Sequence, residues 1–80
     1  MVAYNLALLL QRRGDLTRAQ FYIRRLNNSE LANAQSLWLG IKIERALGSD
    51  VAMRQLGEQL QKRFPESREL NAYKRRAFDE

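Results

Sequence analysis

The side chains that could perform acid–base or nucleophilic chemistry are few and scattered along this chain. Its 80 residues include no cysteine and no histidine, which removes thiol nucleophiles, imidazole bases and the usual zinc ligands. The carboxylates are dispersed along the chain, and they stand at Asp15, Glu30, Glu44, Asp50, Glu58, Glu66, Glu69, Asp79 and Glu80. We therefore expect no catalysis, no cofactor and no bound metal.

The remaining polar and special residues have structural interpretations. Asp15 and Asp50 stand where helices are predicted to begin, so both are interpreted as helix caps. Glu44, next to Arg45, is interpreted as part of an exposed helical surface. The glycines are isolated, which argues against a phosphate-binding loop, and they are Gly14, Gly40, Gly48 and Gly57.

Positive charge is the main compositional bias, with a formal net charge of +5 and a pI of about 10.2. The basic residues cluster at Arg12-Arg13, Arg24-Arg25, Lys62-Arg63 and Lys74-Arg75-Arg76, each near a predicted helix C-terminus. There they complement the negative end of the helix dipole, which is the favoured interpretation. The alternative is an electrostatic patch for nucleic acid, anionic lipid or an acidic partner.

The stretch from Tyr4 to Leu26 has the apolar periodicity of two amphipathic helices joined by a tight turn at Gly14-Asp15. The first apolar stripe is Ala3, Leu6, Ala7 and Leu10, and the second is Leu16, Ala19, Tyr22, Ile23 and Leu26. Small residues within these stripes allow two helix backbones to approach closely. The sequence therefore predicts an antiparallel helix pair.

A second helix pair is predicted over residues 31–47 and 51–64, and Ser67 then caps a short helix with Leu70, Tyr73 and Ala77 on one face. The two halves are related by one constant shift, which carries Leu6 onto Leu39 and Ala19 onto Ala52. The predicted packing residues are Leu6, Ala7 and Ala19 in the first half, and Leu39, Gly40 and Ala52 in the second. The same shift carries Gly14 onto Leu47, one position before Gly48. The second pair is therefore expected to have a longer first helix and a shorter turn.

This pattern resembles the tetratricopeptide repeat, in which a large–small residue pair, a Gly-Asp turn and an alanine recur at fixed spacing. The resemblance implies an all-α superhelix of stacked antiparallel helix pairs. It divides the single domain into repeat one at about 1–30, repeat two at about 31–65 and a capping helix at about 66–80.

A narrower resemblance is carried by SLWLGIKIERALGSDVAMRQLGEQLQKRFPES, residues 36–67. This string is similar to the C-terminal end of the type IV pilus biogenesis/stability (PilF/PilW-type) lipoproteins. That family implies a pilotin on the periplasmic side of the outer membrane, which assists assembly of the secretin. The lipidated cysteine is not in this chain, so the resemblance implies a soluble C-terminal fragment that does not itself insert into the membrane.

The resemblance also implies a partner-binding concave face, carried over to Tyr4, Leu8, Arg12, Leu37, Ile41 and Arg45. The alternative interpretation is that its apolar members pack against neighbouring helices.

Three function hypotheses follow from the sequence. The first is a protein-interaction scaffold for pilus assembly, and the second is a generic repeat adaptor in another envelope or secretion pathway. The third is a basic helical domain that binds nucleic acid, and we do not expect nucleic acid to be the partner. Val2, Tyr4, Leu8 and Leu9 form a surplus of apolar residues on the first helix. We therefore expect any homodimer to use this helix and to arise from truncation.

Overall fold

Five α-helices in succession build the part of the chain that the computed structural model describes, residues 2–78. They are α1 (Val2–Arg12), α2 (Leu16–Asn27), α3 (Ala34–Ala46), α4 (Asp50–Arg63) and α5 (Arg68–Lys74), and no β-strand occurs in this range. The radius of gyration is 11.2 Å, close to the roughly 11.6 Å expected for a globular chain of this length. The prediction of an all-α chain is confirmed.

The turns after α1 and α3 are equivalent in length and in hydrogen bonding. Each closes with the same pattern of backbone bonds to the last turn of the preceding helix. Gly14 has a φ of +81° and Gly48 a φ of +76°, the left-handed conformation that glycine adopts at a helix C-terminus. Because Gly14 and Gly48 hold equivalent places in these turns, the shorter turn expected in the second half was wrong. The described part of the first helix of each pair is longer in the second half, with 13 residues in α3 and 11 in α1.

Side chains cap the N-termini of α3 and α5. Asn33 Oδ1 accepts a hydrogen bond from the Ser36 amide at 2.8 Å, and Ser36 Oγ accepts one from the Asn33 amide at 2.8 Å. This reciprocal pair is a capping box. Ser67 Oγ accepts from the Leu70 amide at 3.1 Å, which confirms the predicted cap of α5.

The two aspartates interpreted as caps do not act in that way. Asp15 occupies the N-cap position of α2, yet its side chain makes no capping hydrogen bond. Asp50 lies one position later than expected, inside the first turn of α4, and Ser49 stands at the N-cap without a side-chain bond. A carboxylate in the first turn still interacts favourably with the positive end of the helix dipole.

Two apolar clusters form the core, and α3 contributes to both. The first joins α1, α2 and α3 and contains Ala7, Leu10, Ala19, Ile23, Leu26, Leu39 and Ile43. The second joins α3, α4 and α5 and contains Leu37, Trp38, Ile41, Met53, Leu60, Leu70 and Ala72. Among these helices, no Cα of α1 or α2 lies within 8 Å of a Cα in α4 or α5. α3 is therefore the central layer of the fold.

The predicted packing residues of the first half lie at the expected contacts. Ala7 and Ala19 are fully buried in the first cluster, and Leu6 is half-buried against it. In the second half, Leu39 and Gly40 are buried as expected, but Ala52 is only half-buried. The buried residue at the position equivalent to Ala19 is Met53, because the shift between the two helix pairs is one position longer than expected.

Polar groups fix the ends of the seam between α2 and α3. At one end, Asn27 Nδ2 donates a hydrogen bond to the Ser36 carbonyl at 3.0 Å. At the other end, Glu44 Oε2 accepts from Arg24 Nε at 2.6 Å, while Glu44 Oε1 accepts from Arg24 Nη2 at 3.1 Å and from Gln20 Nε2 at 2.7 Å.

The interpretation of Glu44 as an exposed surface residue was wrong, since it is 1% exposed. Its burial is possible because charge-assisted and polar donors surround the carboxylate. Between the two polar ends, Gly40 lets the helices approach, since a Cβ there would lie 2.7 Å from Asn27 Nδ2.

The last helix is shorter than expected. α5 ends at Lys74, so Ala77 follows the helix and does not belong to its apolar face. Leu70 is buried and Tyr73 half-buried, as predicted, and Tyr73 packs against α4 at Gly57. This contact fixes α5 across the end of the second helix pair.

Candidate functional site

A groove between α1, α3 and α5 is the candidate functional site. Its cavity volume is about 560 Å³, within the range of roughly 300–1,000 Å³ found for ligand clefts. The lining residues are Tyr4 from α1, a set from α3 (Gln35, Trp38, Leu39 and Lys42), and a set from α5 together with the residue that follows it (Arg68, Glu69, Asn71, Ala72 and Arg75). We call this cavity the odd-helix groove.

The floor of the odd-helix groove is one face of α3. Gln35, Trp38, Leu39 and Lys42 follow one another at spacings of i, i+3, i+4 and i+7, so a regular helix places them in one row. Trp38 and Leu39 of this row are buried members of the two apolar clusters, whereas Gln35 is exposed and Lys42 half-buried. The capping box at the start of α3 fixes where the helix begins and therefore how it is rotated.

Trp38 gives the floor a rigid aromatic component. The residue is 7% exposed, and its ring stacks on the Phe78 ring with centroids 5.7 Å apart at an interplanar angle of 20°. Lys42 Nζ lies 5.5 Å from the centre of the Trp38 ring, within the range of a cation–π contact. The aromatic surface thus supports a cation at the bottom of the groove.

Lys42 is the half-buried cation of the site. Burial lowers the pKa of its ammonium group, and the positive charge of Arg12 lowers this pKa further. Both effects disfavour the charged form of Lys42.

The walls of the odd-helix groove differ in character. α1 contributes Tyr4, a half-buried aromatic side chain. The α5 wall contributes two exposed arginines, Arg68 and Arg75, and one half-buried carboxylate, Glu69. A ligand in this groove would meet an aromatic wall on one side and a mainly cationic wall on the other.

Of the residues predicted for the first-half binding face, one lines this groove. Tyr4 lines it. Arg12 is exposed and close enough to influence the charge of Lys42. Leu8 is half-buried and packs against the first apolar cluster. Only Tyr4 of these three is a lining residue.

The residues predicted for the second half do not line this groove, and for the two apolar ones the prediction was wrong. Leu37 and Ile41 have no exposed surface and pack in the second cluster, so a partner cannot contact them. Arg45 is exposed, with its guanidinium 4.4 Å from the centre of the Phe78 ring. It lines a separate cleft of about 520 Å³ with Asp50, Met53, Arg54, Tyr73 and Arg76.

A single register difference explains this error. The shift expected from the sequence carries Tyr4, Leu8 and Arg12 onto Leu37, Ile41 and Arg45. The shift seen in the turns is one position longer and carries Tyr4 onto Trp38 and Leu8 onto Lys42, which are groove residues. The spacing of Gly14 and Gly48 was the sequence signal that could have corrected the register.

Two further apolar residues on α1 are exposed. Val2 is 85% exposed and Leu9 is 46% exposed, whereas Tyr4 and Leu8 are half-buried against the first cluster. The expected apolar surplus on α1 is thus reduced to Val2 and Leu9. A homodimer through this helix remains a prediction.

No protein-family model, curated protein or solved structure matches this chain. Within residues 2–78, no three His, Cys, Asp or Glu side chains are grouped so that they could hold a metal ion. None of the described helices has the length and apolar character required to cross a membrane. The odd-helix groove combines cations, amides and aromatic surface, which are groups suited to recognition of a polar or anionic ligand.

Proposed function

We propose that this chain is a non-catalytic protein-interaction module whose binding site is the odd-helix groove. The observation that carries this proposal is the groove itself, to which α3 and α5 contribute most of the lining and α1 contributes Tyr4. Such a surface is built when the first helices of successive helix pairs lie side by side, as in repeat proteins. A groove of this size accommodates a short segment of another protein.

We further propose that the two helix pairs and α5 belong to a superhelix of the tetratricopeptide type. The support is the equivalence of the turns at Gly14 and Gly48 and the stepwise packing of each helix on its neighbours in sequence. α5 contacts both α3 and α4, as α3 contacts both α1 and α2. α5 would then take the place of the first helix of a third pair, the role of a capping helix.

The biological setting that we propose is type IV pilus assembly. Its support is the resemblance of residues 36–67 to the pilotin lipoproteins, which implies a secretin partner on the periplasmic side of the outer membrane. An adaptor in another envelope or secretion pathway would use the same groove. The net charge of +5 keeps nucleic acid as a third candidate ligand, although burial of Trp38 beneath Phe78 leaves little ring surface on which a base could stack.

Site-specific photo-crosslinking in the native host tests the interaction proposal. A photoreactive phenylalanine analogue is placed at Gln35, which lines the groove, and at the control position Gln55, which is exposed on α4. We expect a discrete crosslinked protein at Gln35 and none at Gln55. Mass spectrometry should identify that protein as the secretin if the pilus setting is right.

Two results would contradict the proposal. Equal crosslinking at Gln35 and Gln55 would show that the groove is no preferred contact. Absence of any crosslink at both Gln35 and Asn71, a second lining position that is exposed, would remove the groove as a binding site.

A further inference from the structure

The second cleft, of about 520 Å³, shares no lining residue with the odd-helix groove. We call it the arginine cleft, because three of its described lining residues carry a guanidinium. Arg45 comes from the last turn of α3, Arg54 from the first half of α4, and Arg76 from the segment that follows α5. The fold, and not the local sequence, therefore brings these three cations to one concave surface. The remaining lining residues are Asp50, Met53 and Tyr73.

A pair of aromatic rings positions two of the three arginines. The Tyr73 and Phe78 rings meet edge to face, with centroids 6.4 Å apart at an interplanar angle of 75°. Arg45 Cζ lies 4.4 Å from the centre of the Phe78 ring. Arg76 Cζ lies 5.8 Å from the centre of the Tyr73 ring. Both are cation–π distances, and such contacts hold the charge in place without using the N–H groups as hydrogen-bond donors.

The three guanidiniums of the arginine cleft are accessible to a ligand. All three arginines are exposed, and within residues 2–78 none of them forms an ion pair. Arg54 Nε donates a long hydrogen bond of 3.5 Å to the Asp50 carbonyl. This bond uses one of the five N–H groups of the side chain. Donors therefore remain on each of the three arginines for an incoming anion.

Arg76 has a backbone conformation that favours glycine. Its φ is +59°, the left-handed conformation that Gly14 and Gly48 adopt after α1 and α3. Arginine has a Cβ, so it adopts this conformation less readily than glycine does. Residues that their surroundings hold in such conformations occur often at functional sites. In this protein the strained residue carries one of the three guanidiniums of the arginine cleft.

The charge of the arginine cleft indicates the class of its anion. Its described lining contains three arginines and one carboxylate, Asp50, which leaves a surplus of two positive charges. A phosphate monoester carries a charge of about −1.5 to −2 at neutral pH and has three strong acceptor oxygens. A carboxylate has one charge and two oxygens, and each phosphodiester of nucleic acid has one charge. A phosphate monoester therefore matches the cleft best in charge and in number of acceptors.

We infer that the arginine cleft binds a phosphate monoester, whose oxygens accept charge-assisted hydrogen bonds from Arg45, Arg54 and Arg76. Asp50 lies in the same cleft and opposes the binding of this anion. The cleft is larger than a phosphate group, so it also accommodates part of the organic group to which the phosphate is attached. This site is separate from the odd-helix groove, and the inference does not depend on the proposed interaction function.

NMR of the ¹⁵N-labelled protein measures this binding, because arginine Nε–H groups give signals of their own. The probe is phenyl phosphate. Its matched control is phenyl sulfate, which has the same aryl group and a tetrahedral anion with a single negative charge. We expect saturable shifts of the signals of Arg45, Arg54 and Arg76, and an affinity for phenyl sulfate that is about threefold to fivefold lower.

A second titration distinguishes two sources of the phosphate monoester. It uses the peptide acetyl-Ala-phosphoserine-Ala-amide, with the unphosphorylated peptide as its control. Tighter binding of the phosphopeptide than of phenyl phosphate would assign the cleft to a phosphorylated protein. Tighter binding of phenyl phosphate would assign it to a small phosphorylated molecule.

Matched variants assign the binding to the arginine cleft. Arg45→Gln and Arg54→Gln should each weaken phenyl phosphate about threefold to fivefold, the size expected for loss of one exposed charged contact. Asp50→Asn removes the opposing carboxylate and should strengthen binding by a similar factor. The control is Arg63→Gln, since Arg63 is exposed on α4 and lies 5.5 Å from the Phe64 ring but does not line the cleft. This control should leave the affinity unchanged.

Arg76→Gly separates binding from folding. This variant removes a guanidinium from the arginine cleft and places glycine in the conformation that glycine favours. We expect weaker binding of phenyl phosphate together with a melting temperature that does not fall. A loss of affinity in this variant cannot then be attributed to unfolding. Unchanged affinity would remove Arg76 from the site and contradict the inference.

Three other results would overturn the phosphate site. One is equal affinity for phenyl phosphate and phenyl sulfate, and another is an equal effect of Arg45→Gln and Arg63→Gln. The third is tighter binding of a short single-stranded oligonucleotide that Arg45→Gln abolishes, which would assign the arginine cleft to nucleic acid. Photo-crosslinking at Gln35 is independent of these results, so the proposed interaction function can stand if the phosphate site fails.

Discussion

Replacement of Arg24 should destabilise the protein far more than replacement of an ordinary surface arginine. The Glu44 side chain is 1% exposed, whereas the Arg24 side chain is 52% exposed. Arg24→Met removes two charge-assisted hydrogen bonds and leaves the carboxylate with Gln20 alone. Breaking a buried ion pair costs about 3–5 kcal/mol. We expect Arg24→Met to lower the free energy of unfolding by a smaller amount, about 2–3 kcal/mol, because water already solvates part of the half-exposed guanidinium.

The reverse replacement and the double replacement should cost less. Glu44→Met leaves Arg24 and Gln20 free to turn toward water, so we expect a loss of about 1 kcal/mol. The double variant exchanges the whole pair for apolar side chains, which is often nearly neutral. The sum of the two single effects should therefore exceed the double effect, and the coupling energy should be about 3 kcal/mol.

Urea denaturation followed by circular dichroism measures each free energy of unfolding. In a domain of this size, a loss of about 2 kcal/mol lowers the melting temperature by roughly 8–16 °C. The internal control is the ion pair of Arg18 and Asp15, which joins atoms 3.4 Å apart with side chains 73% and 39% exposed. Arg18→Met should change stability by less than about 0.5 kcal/mol.

Two results would refute this reasoning. If Arg24→Met costs no more than Arg18→Met, then solvent stabilises the Glu44 carboxylate as well as the guanidinium does. If the effects of Arg24→Met and Glu44→Met simply add, then the two side chains do not stabilise the seam between α2 and α3 as a pair.

Two further predictions concern backbone and close packing around α5. Arg76 has a φ of +59°, in the conformation that Gly14 and Gly48 adopt at two other helix ends; Arg76→Gly should therefore stabilise the fold by about 0.5–1 kcal/mol, and a lower melting temperature would contradict this. A Cβ at Gly57 would lie 2.5 Å from the Tyr73 ring, so Gly57→Ala should cost about 1–2 kcal/mol despite its better helix propensity. Faster amide exchange in α5 would confirm that the ring has moved, and unchanged exchange would refute it.

The helices themselves could be predicted because apolar spacing and glycine positions are local signals. Gly14 and Gly48 marked the two turns, and Ser67 marked the start of α5. Which face of α3 points into the core was harder to predict from the sequence. A shift of one position rotates the inferred face of a helix by about 100°. The shift inferred from the sequence was one position too short, so it placed the core residues Leu37 and Ile41 in the binding site instead of Trp38 and Lys42.

The buried carboxylate and the α5 wall depend on contacts between distant parts of the chain. Glu44 is adjacent to Arg45 in sequence, which suggested an exposed pair, but its donors lie 20 and 24 residues earlier on α2. Arg68 and Arg75 become groove residues only because α5 folds back onto α3. Periodicity within one helix carries no information about either contact.

The central position of α3 determines the order in which the parts of this protein should unfold. α1 and α2 share no close backbone approach with α4 and α5, so either pair can open without uncovering the apolar cluster of the other. Loss of α3 uncovers both clusters at once. Amide protons in the middle of α3, where residues 36–41 are all buried, should therefore exchange only through global unfolding, while those of the outer helices exchange through smaller openings. Cooperativity between the two ends of the molecule thus depends on a single helix of 13 residues.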